Sequence, residues 1–208
     1  MELFDQGLDI YKITAAKMLG LDEREVTKKQ RNLAKALILG LLYGLSAYGL
    51  PTYAFRNYGI KMSPEEAEEY VRTFYGLYPK LAEYHESVLE ELGEQGYVDQ
   101  KTLTGRRRDN ITNRNEAINA PVQGTAADGL KMAMAEVHKR LRKFDGSAFI
   151  VATIHDELLI ECEEKDAREV LEIAKEVMVD IMDGLVNATE PTVPIAVEGT
   201  VTTVWTKD

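Results

Sequence analysis

The sequence predicts an α+β fold: mainly helical along its first half, then helices packed on a small antiparallel sheet. Two observations carry this. Helix-start signals recur ahead of amphipathic runs, with Thr27 and Gln30 spaced as a capping box and Ser63 followed by Pro64, Glu65 and Glu66. Further on, two strand-like apolar runs, 148–154 and 158–162, flank His155-Asp156-Glu157 in the layout of a hairpin.

The chain has 208 residues and 45% hydrophobic content, enough to bury a core in one domain or two closely packed subdomains. A formal net charge of -10 excludes a uniformly basic surface, though not nucleic acid, whose binding depends on local patches. Such patches occur at Lys28, Lys29, Arg31 and Lys35, and at Arg106, Arg107, Arg108 and Arg114. A single cysteine, Cys162, excludes an intrachain disulfide and suits a reducing compartment. The opening MELFDQGLDIYK lacks the layout of a secretory signal, and no apolar run reaches about 18 residues. The expectation is a soluble intracellular protein, cytoplasmic or otherwise, neither secreted nor membrane-bound.

In chain order, Leu3, Phe4, Leu8, Ile10, Ile13, Ala16 and Leu19 read as a helix over 3–19 closed by Gly20. Residues 21–26 make a short turn, and Thr27 caps the run 31–48, RNLAKALILGLLYGLSAY, on which the rest depends. Read as a helix, it aligns Arg31, Lys35, Leu39 and Tyr43 at i+4 steps. The cations then lie about 6 Å apart and Tyr43 about 18 Å from Arg31. Two cations a turn apart suit a polyphosphate. Leu39 and Tyr43 offer apolar and aromatic surface to whatever carries it, and Gly40 and Gly44 leave room for a backbone or a flat base. On spacing alone the plainer reading is favoured, in which Leu33, Ala34, Leu37, Ile38, Leu41 and Leu42 are core and the cations a solvated face.

Residues 52–58 form a short helix ended by Gly59, and a further helix runs over 64–75. Tyr78-Pro79 opens another to about residue 93, with Leu81, Tyr84, Val88, Leu89 and Leu92 inward and acids and His85 on a solvated face. Residues 96–98 and 101–105 read as paired strands leading into Arg106-Arg107-Arg108, either a phosphate-contacting set or an exposed structural patch. In the run 118–128, INAPVQGTAAD, Asn119 and Gln123 stand one turn apart. Their amides suit the minor-groove acceptors common to all base pairs, or else bridge core backbone. The helix continues to residue 144 with Met132, Met134, Val137 and Leu141 as core. Asp156 and Glu157 with His155 at a hairpin tip suit a hard cation, or are simply a charged turn. A helix over 164–182, a last strand over 192–204 and an anchoring Trp205 complete the chain.

Taken together and in order, five stretches resemble family-A DNA polymerases, the DNA polymerase I group. They are Asp9-Ile10-Tyr11 with Thr14-Ala15-Ala16, the pattern R-x3-K-x7-Y-G from Arg31 to Gly44, Thr102 to Arg107, the run 118–128, and His155-Asp156-Glu157. The resemblance implies a fingers subdomain over 1–98 and part of a palm over 99–208. It implies template-directed nucleotidyl transfer from a dNTP to a primer 3′-hydroxyl, with two Mg2+ ions. Arg31 and Lys35 would hold the triphosphate, Lys35 also acting as general acid; Leu39 would lie at the sugar and Tyr43 at the templating pair. Asn119, Gln123, Arg106, Arg107 and His155 would contact template-primer DNA, and Asp156 with Glu157 would serve the metals. Three positions depart from the family. Tyr11 stands where histidine is usual, Leu39 where Phe or Tyr is usual, and Asn115 where many members have arginine, with Arg114 one place earlier.

One expected part is missing. The family's first catalytic aspartate, on a strand reading roughly D-x-S-x-I-E-x-R, has no counterpart at Asp5, Asp9 or Asp22. The expectation is therefore a split polymerase, inert alone, completed by a second polypeptide that carries the missing palm strand, the first catalytic Asp and the thumb. Its rivals are a non-catalytic nucleotide- and DNA-binding module and a structural partner that keeps only the fold.

Overall fold

Side-chain caps at Asp9, Thr27 and Ser63 open three of the helices in the computed structural model, which describes residues 8–188 and 193–205. Helix α1 (Ile10–Leu19) begins where Asp9 accepts from the backbone N–H groups of Tyr11 and Lys12, and it stops at Gly20. Residues 3–7 of the expected first helix lie outside the described residues. After a 3-10 turn (Glu23–Glu25), α2 (Lys28–Leu42) opens on the reciprocal box of Thr27 and Gln30. α3 (Leu50–Tyr58) ends at Gly59, α4 (Pro64–Leu77) starts from the Ser63–Glu66 box, and α5 (Pro79–Gln95) follows Tyr78.

The helix expected through Tyr48 ends instead at Leu42. Gly44 adopts a φ of 79°, and the N–H groups of Gly44 and Leu45 return to the carbonyls of Leu41 and Gly40, a Schellman closure. Nor are the glycines of this run open to a ligand. A Cβ at Gly44 would sit 2.9 Å from Ile118 Cδ1, and one at Gly40 would sit 3.0 Å from Leu45 Cδ2. Their smallness serves packing within the chain.

The chain divides into two compact units. The first comprises Glu2–Lys101 and Arg107–Pro121. Leu37, Leu41, Leu50, Ala67 and Phe74 form one core cluster, and Val88, Val98, Ile111, Ala117 and Ile118 another. Each large side chain so buried stabilises by roughly 1.5–3 kcal/mol. A 2.6 Å hydrogen bond joins Thr14 Oγ1 and Tyr78 Oη, tying α1 to the α4–α5 junction. His85, expected on the solvated face of α5, is only 3% exposed. It continues the buried face of Val88, with its Nδ1 3.1 Å from Tyr75 Oη, and burial, reinforced by the Arg114 charge, keeps its pKa below the ordinary value. Strands β1 (Val98–Lys101) and β2 (Arg107–Ile111) pair antiparallel. Residues 102–105 are thus a turn rather than a strand, and Arg107 and Arg108 lie within β2.

Helix α6 (Arg114–Leu141) runs through Pro121, its residues to 121 belonging to the first unit and the rest to the second. The second unit adds Thr102–Arg106, strands β3 (Ala148–Ile154) and β4 (Glu157–Cys162), and α7 (Ala167–Val186). Ala133, Val137 and Leu141 of α6 meet Ala148 and the Val170, Ile173 and Val177 face of α7. Met132, expected in this core, is 43% exposed, because the i, i+4, i+8 stripe passes through Ala133 instead. Along β3, Phe149 and Val151 remain 46% and 45% exposed. Of the strand expected over 192–204, Thr192 lies outside the described residues and 193–204 form no strand; the backbone of Val193 is hydrogen-bonded both ways to the Asn187 side chain. The architecture is α+β, mostly helical with two small antiparallel sheets. Among the described residues, no helix is long and apolar enough to cross a membrane.

Candidate functional site

Within the first unit, α1 packs against α2 and brings Tyr11 beneath its cations. Arg31 and Lys35, one turn apart, are both partly buried. The Tyr11 ring centre lies 5.2 Å from Arg31 Cζ and 5.6 Å from Lys35 Nζ, so one phenol carries two cations on its face. Arg31 Nε also donates to Asp9 Oδ2 at 2.6 Å. Burial alone would raise the Asp9 carboxyl. The Arg31 hydrogen bond, the Lys12 and Tyr11 N–H groups and the Arg31 charge outweigh it and hold the pKa below the ordinary value. Burial, with help from Tyr53, pushes the nearby Tyr58 phenol up, while the Lys35 charge opposes the rise.

Leu39 follows a turn later, partly buried, and Tyr43, the C-cap of α2, is 40% exposed. Asn119 divides its amide N–H groups between the carbonyls of Tyr43 (3.1 Å) and Asn115 (2.7 Å). The position that departs from the family thus contributes its backbone to the site, and Asn119 is tied to the end of α2. On β2, Arg107 pairs with Asp109 and Asp99, and Arg108 with Glu116.

In the second unit, the turn carrying Arg106 is fastened to α6. Arg106 donates to Asp128 Oδ1 at 2.7 Å and to the Gly124 carbonyl at 3.1 Å, Thr104 donates to Asp128 Oδ2 at 2.7 Å, and the Leu103 N–H reaches Thr125 Oγ1 at 3.0 Å. Gly124 is required for this approach, since a Cβ there would lie 2.6 Å from Thr102 Cγ2. The Thr104 hydrogen bond, joined by Arg106 and opposed by burial, brings the Asp128 carboxyl down to about 2. Gln123 lies on α6 one residue before this glycine. Arginines 106–108 therefore each have an acidic partner within the chain.

Asp156 and Glu157 come at the end of the β3–β4 hairpin. The ladder closes at Ile154 opposite Glu157, leaving His155 and Asp156 as a two-residue turn. His155 takes a φ of 58°, a conformation that costs a side-chain-bearing residue roughly 1–3 kcal/mol and fixes the turn's direction. All three side chains are exposed, and Trp205 Nε1–H donates to Glu157 Oε1 at 3.2 Å. Among the described residues, no group of three or more His, Cys, Asp or Glu side chains is arranged to hold a metal ion. The carboxylates suit a hard divalent cation in kind, as oxygen donors on a defined hairpin, but they supply only part of a ligand set.

Sequence reasoning gave no role to Asp9, Asp128 or the Trp205–Glu157 contact. Asp9 was legible as a cap, because Asp directly before an apolar helical run is a start signal. Its reach to Arg31, and that of Asp128 to Arg106, each span 22 positions and leave no local trace.

Residues 1–207 match the model for DNA polymerase family A, and the chain belongs to that family. It is similar to DNA polymerase I of Aquifex aeolicus, at 41% identity over the whole of this chain and 35% of the relative. The thermostable DNA polymerase I of Thermus filiformis is 38% identical, over 85% of this chain and 21% of the relative. The chain thus spans about a third or less of these relatives' lengths. Among solved structures, the POL domain of Pol1 from M. smegmatis, in complex with DNA primer-template and dNTP, aligns with a TM-score of 0.73 at 31% identity, covering 87% of this chain and 32% of that one.

Proposed function

We propose that residues 1–208 form the nucleotide-binding fingers and part of the palm of a DNA-templated DNA polymerase acting inside the cell. The observation that carries this is the pair Arg31 and Lys35, a turn apart on α2 and both held over the Tyr11 ring. A guanidinium and an ammonium at that spacing match the charges of a triphosphate, the first by forked donation and the second as a point charge. Lys35 would carry the proton delivered to the leaving pyrophosphate, and Arg31 would orient the terminal phosphate. Tyr43 would pack against the templating pair with Leu39 shaping the sugar site; a Leu39→Phe variant with unchanged dideoxynucleotide discrimination would refute that assignment. Asn119 and Gln123, with Arg106, Arg107 and His155, would face template-primer DNA. The engaged state of the two arginines makes Arg106 a positioning group for its turn, and Arg107 one for the β1–β2 pair, as much as donors to phosphate.

Asp156, with Glu157 beside it, would hold Mg2+. When bound, the metal pair lowers the pKa of the primer hydroxyl and carries the charge of the leaving group. One hairpin cannot supply ligands for two ions, and the sequence of residues 1–208 contains no D-x-S-x-I-E-x-R pattern. The other carboxylate therefore comes from outside these residues, in our reading from a second polypeptide that also brings a palm strand and a thumb. The open two-stranded β3–β4 sheet, with Phe149 and Val151 uncovered, supports the need for a further element. The incomplete ligand set favours one second reading, a nucleotide- and DNA-binding module without catalysis. Primer extension with magnesium separates the two. Extension that appears on adding a complementing chain and disappears with Asp156→Ala supports the enzyme. DNA and dNTP binding without extension in any assembly supports the module.

A further inference from the structure

We infer that Asp9 is a built-in competitor for the phosphate-binding face, occupying Arg31 until a polyanion displaces it. The inference rests on the reading of Arg31 and Lys35 as the triphosphate site. Asp9 uses its two oxygens differently. Oδ1 is fixed by the N–H groups of Tyr11 and Lys12, both at 3.1 Å, and Oδ2 lies 2.6 Å from Arg31 Nε. The helix cap holds the carboxylate in place, so its negative charge stays beside the guanidinium rather than wandering into solvent.

The two cations are therefore unequal. Among the described residues, Arg31 has a carboxylate partner, while Lys35 has the Tyr11 ring and makes no ion pair. A triphosphate would meet Lys35 first and gain Arg31 only by outcompeting Asp9. The Arg31 and Asp9 side chains are each 37% exposed, so their pair is of the weak, screened kind that a multiply charged ligand can displace. The contact sets a threshold: highly charged polyphosphates pass it, and singly charged phosphates gain less.

The test is calorimetric binding of dATP and of inorganic tripolyphosphate to the whole chain at low salt, without DNA. Asp9→Asn and Asp9→Ser both keep an N-cap acceptor and remove the charge. Both are expected to bind roughly two- to five-fold more tightly than the parent, as loss of an exposed ion pair allows, with the unfolding midpoint held. In an Arg31→Ala background the gain should vanish, a dependence that a purely structural role for Asp9 would not produce. Equal or weaker binding by both Asp9 variants overturns the competitor role and leaves the phosphate site standing. No binding by parent or variants removes the phosphate site itself, and the competitor with it.

Discussion

The α2 cation face and the β3–β4 hairpin tip carry opposite charges and differ in completeness. Around Arg31 and Lys35, one neighbouring helix supplies an aromatic shelf in Tyr11 and a counter-charge in Asp9. At the tip, Asp156 and Glu157 have exposed surroundings and a single indole donor, Trp205. Polyanion binding needs only two cations on one helical face, which the i, i+4 step supplies within a single segment. A two-ion centre needs carboxylates converging from separate segments, and among the described residues no three His, Cys, Asp or Glu side chains converge in that way.

The sharpest way to break this contrast is at the tip. In an assembly that extends a primer, Asp156→Ala is expected to lower the extension rate on the order of 10³-fold while leaving dNTP binding to this chain unchanged. Lys35→Ala should cost about 10²-fold and also weaken dNTP binding, because it would remove the proposed proton donor together with a charge. A matching loss of nucleotide binding in Asp156→Ala would erase the distinction between the regions.

Next in size is the fastening of the 102–106 turn. Gly124→Ala drives a Cβ into Thr102 and is expected to destabilise by about 1–3 kcal/mol in urea unfolding. The same turn has a pH signature. The native Asp128 carboxyl is depressed to about 2, so its contribution is fully present above the unfolded value, near 4, and is lost as pH falls through the native one. Acid unfolding between about pH 4 and pH 2 should therefore flatten in Asp128→Asn, and an unchanged profile would remove Asp128 from the account. The smallest effect is expected at Trp205→Phe, which deletes only the N–H donated to Glu157. Extension should fall by a few-fold, with dNTP binding unchanged.

These regions also differ in how far they could be read from sequence. The caps at Thr27 and Ser63 were legible because their partners Gln30 and Glu66 lie three residues away, and the hairpin because both strands and its turn are contiguous. The one-turn spacing of Arg31 and Lys35 on a helix was legible for the same reason. What sequence misplaced was decided by tertiary packing. The face of α5 admits His85 because Tyr75 and Tyr84 surround it, and residues 102–105 of the expected strand form a turn because Gly124, Thr125 and Asp128 bind it. Met132 was missed by one position of helical phase.

The most direct test of the central claim is magnesium-dependent primer extension by the purified chain of residues 1–208, with and without a polypeptide supplying the D-x-S-x-I-E-x-R strand and thumb. The chain alone is expected to give no extension, and extension sensitive to Asp156→Ala is expected once the second chain is added. Efficient copying of a template by residues 1–208 alone would contradict that claim.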